Sequence, residues 1–172
     1  MIELKKKNLP SAVLVDGVFY SIHTDFRFWL LFPELFRPGN ELKDLDIFYN
    51  GEVPENREAG AIQLLKFYQP EQKLPRPTGR ESGKVVDYAQ DEDLIYSAFY
   101  QQYKIDLKEV DLHWHKFLVL FSGLKDTKLN DIITTRLYNG TDTELIQARE
   151  AWRLEEELSE EEQKQLDYFN SL

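Results

Sequence analysis

LHWHKFLVLFSGL, residues 112–124, sets two histidines around a tryptophan and then runs into apolar residues. As a strand it would point His113 and His115 the same way, toward a shared metal. On a helix, residues two apart lie roughly 200° from each other and the rings diverge. Asp111 is a good N-cap and Gly123 a good terminal residue. Trp114, Phe117, Leu118 and Phe121 follow the i, i+3, i+4, i+7 stripe of a buried helical face. The stretch therefore reads as a helix. His115 flanks the stripe near Leu112 and Val119, and His113 faces away beside Lys116.

That reading removes the most inviting chemistry. A zinc site needs at least three protein ligands, and no third ligand has usable spacing, His23 being far along the chain. The chain has no cysteine and no nucleophile elbow, so neither a thiolate site nor a nucleophile with histidine partners is expected. Residues 79–84, GRESGK, miss the phosphate-loop spacing by one residue and lack the following Ser or Thr; no apolar strand precedes them. The expectation is a protein without catalytic, metal or cofactor residues, and not an enzyme.

Outward from residue 112, the same periodicity recurs. Leu94, Ile95, Ala98, Phe99 and Tyr103 share one helical face after Asp91, with Tyr96, Tyr100 and Tyr103 as an adjoining aromatic ridge. The acidic triplet Asp91, Glu92 and Asp93 suits the positive end of a helix and needs no ion. Leu129, Ile132, Ile133 and Leu137 mark another helix ending at Asn139-Gly140. Thr141 with Glu144 predicts a capping box for the next, carrying Leu145, Ala148 and Trp152, and Ser159 with Glu162 a restart.

Toward the N-terminus, Ala12 to Val15 and Val18 to Ile22 flank Asp16-Gly17, a two-residue connection suited to a type I′ turn, and predict a hairpin. A lone hairpin is marginal in water, so it must lie on the helices or gain a further strand, and its open edge makes self-association an expectation. Thr24 or Asp25 caps a segment from Phe26 to Phe32 that is apolar nearly all round, until Pro33 kinks or ends it. Helices about 41–49 and 55–68 follow, the second with Ile62, Leu65 and Lys66 to Tyr68 as its apolar face. Residues 69–86 read as a long exposed loop, mobile by composition.

The 172 residues, 42% hydrophobic, can bury one core without staples, so a single domain is expected over 1–172. It divides into the hairpin (12–22), a helical core (24–140) and an acidic helical segment (141–172). The fold class is mainly α: one compact helical domain of six or seven helices with a small N-terminal β-hairpin. The net charge of −10 repels phosphate backbones, which argues against nucleic acid. No stretch approaches the roughly 20 apolar residues of a membrane span, and no apolar run follows the lysines of MIELKKKNLP, so no membrane association is expected. Six glutamates between 155 and 162 read as a solvated helical face.

Three stretches together, IHTDFRFW (22–29), DEDLIYSAFYQQYKIDL (91–107) and LHWHKFLVLFSGLKDTKLNDII (112–133), resemble the phage protein-fifteen family. These are small proteins that tailed phages and prophages of Gram-positive bacteria encode beside the tape-measure protein. The resemblance covers roughly residues 12–140 and is thin beyond. It implies a tail assembly chaperone, acting in the host bacterial cytoplasm and absent from the mature virion. The implied partners are the tape-measure protein and the tail-tube protein. The family carries a second tryptophan where this chain has His115, which speaks for packing at that position.

Candidate partner contacts are Asp25, Arg27 and Trp29, from the TDFRxW part of the resemblance, with Tyr96, Tyr100 and Trp114. For the first three, an N-cap, a structural ion pair and a core anchor is the favoured reading. The alternatives to a chaperone are a structural virion component and, behind it, an acidic DNA mimic that inhibits a host protein.

Overall fold

The computed structural model describes residues 6–70 and 85–155. In chain order these form a hairpin of β1 (Ala12–Val15) and β2 (Val18–Ser21), then α1 (Phe26–Leu30), α2 (Phe32–Leu35) and a 3-10 helix (Leu42–Phe48). There follow α3 (Arg57–Tyr68), α4 (Glu92–Tyr103), α5 (Trp114–Ser122), α6 (Lys128–Arg136) and α7 (Thr143–Ala151). The fold is mainly α with a two-stranded antiparallel sheet, and no helix among the described residues is long and apolar enough to cross a membrane. Most of the loop read at 69–86, the GRESGK stretch and the restart at Ser159 lie outside the described residues.

Asp16 and Gly17 take φ of 48° and 85°, the left-handed pair that a type I′ turn requires, and the register sets Val15 opposite Val18. Val13 and Val15 are buried and β1 packs on α3. The hairpin thus lies on the helices and gains no further strand, although Ile22 forms an isolated bridge to Tyr49 beyond β2.

Asp25 caps α1, its carboxylate accepting from the Arg27 N–H at 3.0 Å. Pro33 neither kinks nor ends this helix. The break falls at Leu31, and Pro33 sits in the first turn of α2, where a missing N–H costs nothing. The segment buries Phe26, Trp29 and Phe32 and leaves Leu31 44% exposed. The helix expected at 41–49 is 3-10, and at its start the Asp44 carboxylate accepts from the Glu41 N–H at 3.2 Å. On α3 the buried face is Gly60, Ala61, Leu64 and Phe67, and Ile62, assigned inward from the sequence, is 53% exposed. Close approach explains the difference. A Cβ on Gly60 would stand 2.6 Å from the Tyr49 hydroxyl and 3.0 Å from Pro54 Cγ, so the small residues mark the contact and the larger Ile62 lies outside it.

Residues 114–122 are helical, but the cap is His113 rather than Asp111. His113 keeps extended backbone (φ −61°, ψ 138°) and its Nδ1 accepts from the His115 N–H at 3.0 Å. Since His113 stands before the helix, the helical rotation does not apply between it and His115. The rings do not diverge; their centroids are 5.2 Å apart. Likewise α7 is capped by Asp142, which accepts from the N–H groups of Glu144 and Leu145, rather than by Thr141. The helix before it ends at Arg136, short of Asn139.

The core is largely aromatic. Trp29 packs on Phe48 and Phe67 with centroids 4.9 and 4.5 Å away. Phe117 packs on Phe26, Phe99 and Trp114 at 4.9, 5.1 and 5.5 Å. Tyr68 joins the two groups, stacked on Phe32 at 4.7 Å and on Trp114 at 5.2 Å. Such ring pairs add to the area each side chain buries.

Candidate partner-binding cleft

The N-termini of α1 and α5 are stitched together by backbone. The Phe26 N–H donates to the Leu112 carbonyl at 2.9 Å, and the Trp114 N–H to the Thr24 carbonyl at 2.7 Å. Arg27 extends the seam. Its Nη1 meets Asp25 at 2.8 Å, and its Nη2 donates to the carbonyls of Leu107 and Val110 at 2.8 and 3.0 Å. One guanidinium thereby holds the α4–α5 connection against α1, with every acceptor at hydrogen-bonding distance.

This joint leaves a cleft open beside it. A cavity of about 100 Å³ lies among Phe26, Leu30, Ile95, Leu107 and Phe117, with Arg27 and Tyr96 also in its lining. It adjoins a wider hollow of about 560 Å³ bounded by Leu31, Pro33, Tyr68, Val86 and Phe121; the two share Arg27, Leu30, Tyr88 and Glu92. Tyr88 forms part of the floor, edge-on to Trp114, Phe117 and Phe121 at 6.0 to 6.1 Å, and burial pushes its hydroxyl up to about 12. The hydroxyl therefore stays protonated at any ordinary pH. The Lys108–Glu92 pair, 2.7 Å, lies at the exposed rim. The walls are mainly apolar, but Arg27, Glu34, Arg37, Asp87 and Glu92 also line the wider hollow, so the cleft suits a ligand that presents apolar and charged side chains together.

The six candidate contacts separate by depth. Arg27 and Tyr96 line the cleft, and Asp25 is bound to Arg27. Tyr100 is 52% exposed and stacks on Tyr96 with centroids 6.4 Å apart, one turn along α4. Tyr103 leaves this ridge, turning edge-on to Phe99 and donating its hydroxyl to the Leu120 carbonyl at 2.9 Å. Trp29 and Trp114 have zero exposure, and their indole N–H groups donate to the His23 and Tyr68 carbonyls at 2.8 and 2.9 Å. Both side chains are buried in the core. Leu30, Leu31, Tyr88 and Phe121 also line the cleft, and nothing in the sequence marks them as contacts. They come from separate segments, so only the fold assembles them.

The histidines are bound within the protein. With Nδ1 of His113 accepting, its Nε2 carries the proton and donates to the Pro10 carbonyl at 2.9 Å. His115 Nε2 donates to the Phe67 carbonyl at 2.8 Å, and its ring stacks on Phe67 at 4.4 Å. Burial holds both rings below the usual histidine range, His115 at about 4. Among the described residues no group of three His, Cys, Asp or Glu stands where it could hold a metal ion.

Asp91, which the sequence places at the positive end of a helix, is buried there and also grips Arg136 through two bonds of 2.7 and 2.8 Å. No curated protein and no solved structure matches the chain. A family model described as bacteriophage Gp15 protein matches residues 6–167, through the segment past 140 where the motif resemblance was thin. The chain belongs to the bacteriophage Gp15 protein family.

Proposed function

We propose that this phage protein is a non-enzymatic tail assembly chaperone. It covers apolar stripes of the tape-measure protein, and of tail-tube subunits, in the host cytoplasm before the tube forms. The observation that carries the reading is the apolar cleft between α1–α2 and the Val86–Glu92 segment, which suits anchor residues of an amphipathic helix. A tape-measure protein is a long helical chain whose apolar stripes aggregate unless something covers them. The motif resemblance supplies the identity of the partner, and membership of a bacteriophage family agrees with it.

Co-expression with a tape-measure fragment is the test. The fragment should be soluble with the native chain and insoluble with the Leu30→Asp/Leu31→Asp variant, whose own fold is checked by circular dichroism. A fragment equally insoluble with and without the chain overturns the reading. An assembly factor also leaves the finished tail, so mass spectrometry of purified particles should not find this chain.

A further inference from the structure

We propose that two copies of the chain pair antiparallel through the outer edge of β1, forming one continuous four-stranded sheet from two hairpins. The proposal uses none of the residues lining the cleft and stands independently of the chaperone reading.

The hydrogen-bond parity of the hairpin identifies the edge. With Val15 opposite Val18 across a two-residue turn, ladder bonds fall on alternate pairs. The bond from the Ile22 N–H to the Ser11 carbonyl, 3.0 Å, continues that series. Ser11, Val13 and Val15 therefore direct their backbone groups toward β2, and Ala12 and Leu14 direct theirs outward. The opposite edge is occupied at its Ser21–His23 end, because Asn50 donates to the Ser21 carbonyl and His23 to the Phe48 carbonyl, both at 2.9 Å. Among the described residues, no group outside the hairpin bonds the backbone of Ala12 or Leu14.

Charge and symmetry name the occupant. β1 itself is uncharged, preceded by Lys6 and Lys7 and followed by Asp16. Asp16 lines a hollow of about 510 Å³ together with Glu52 and Glu55. Antiparallel pairing with a second copy runs each basic arm toward the acidic turn of the other, whereas parallel pairing would set lysine on lysine. When Ala12 faces Leu14 of the other copy, the outward groups of both residues are satisfied twice over about a two-fold axis at Val13. The Leu14 side chain, 46% exposed, then lies diagonal to its own counterpart.

Sedimentation equilibrium from about 1 to about 200 µM should show a monomer–dimer equilibrium for the full chain. Leu14→Pro removes an outward N–H, and Leu14→Lys sets like charges across the axis; each should weaken association at least about tenfold. In the native chain, exchange of the Ala12 and Leu14 amides should slow as concentration rises. If Leu14→Pro does not fold, Leu14→Lys, at an exposed position, decides. A chain that stays monomeric throughout the range overturns the proposal, and so does a dimer that both substitutions leave intact.

Discussion

At the scale of single residues, His115 shows how a polar group in the core makes stability depend on pH. Its Nε2–H is satisfied by the Phe67 carbonyl, but Nδ1 is buried without a partner, so a second proton there would have no acceptor. In the unfolded chain the ring titrates near 6.5, and in the fold burial holds it at about 4. Between these values the unfolded state takes up a proton that the fold refuses. Stability from this ring is therefore complete above pH 6.5 and is lost as pH falls toward 4, by roughly 3 kcal/mol at most. His115→Phe should cost about 1–2 kcal/mol at pH 7, because the Phe67 carbonyl loses its donor. It should also flatten the fall in unfolding free energy between pH 6.5 and 5, measured by urea denaturation; an unchanged slope would refute the assignment. Tyr49 is a second case, its hydroxyl buried, unpartnered and pushed up to about 12 by burial and by Asp46. Tyr49→Phe should be neutral or slightly stabilising in the same titration, since it removes an oxygen that has no bond to lose.

Among the elements, α3 inverts an ordinary rule. Replacing a mid-helix glycine by alanine usually stabilises by about 0.5–1 kcal/mol. At Gly60 the new methyl would meet the Tyr49 hydroxyl at 2.6 Å, so Gly60→Ala should destabilise by about 1–3 kcal/mol. Adding Tyr49→Phe should recover much of that loss. Thermal unfolding of the two single variants and the double measures the coupling, and strict additivity would mean that the contact does not carry the cost. The same contact explains why the face of α3 was misread: apolar size pointed to Ile62, but the neighbour at Tyr49 made room only for small residues. Elements encoded by local chemistry were legible. Asp16-Gly17 specified the turn, and the Trp114, Phe117 and Phe121 stripe specified α5. Caps were legible as a class but not to the residue, because Asp111 and His113 both have acceptors near the helix start, as do Thr141 and Asp142. Which of each pair engages the helix depends on where the neighbouring chain, through Thr24 and Leu112 in the first case, anchors the backbone.

Over the whole molecule, what the sequence hid is what joins distant segments. The cleft takes its walls from residues as far apart as Leu30 and Phe121, and no local period announces such a meeting. Arg136 is the clearest instance. Its guanidinium binds the buried Asp91, 45 positions away in sequence, together with the Val85 carbonyl at 2.9 Å and the Trp152 carbonyl at 2.6 Å. One side chain thus fastens the segment leading into α4, the helix α6 and the end of α7. The last of these has no buried residue of its own and rests on such polar ties, including Arg149 to the Tyr138 carbonyl and Gln90 to the backbone of Glu155. Removing one partner of a buried pair leaves the other charge uncompensated, so Arg136→Ala and Asp91→Ala should each cost about 3–5 kcal/mol. Their effects on α7 should differ. Asp91→Ala leaves the bond to Trp152 in place, whereas Arg136→Ala removes it. Amide exchange across Thr143–Ala151, followed by mass spectrometry at matched global stability, should therefore quicken markedly in Arg136→Ala and little in Asp91→Ala. Equal acceleration in the two variants would mean that α7 is held by the general stability of the domain and not through Arg136.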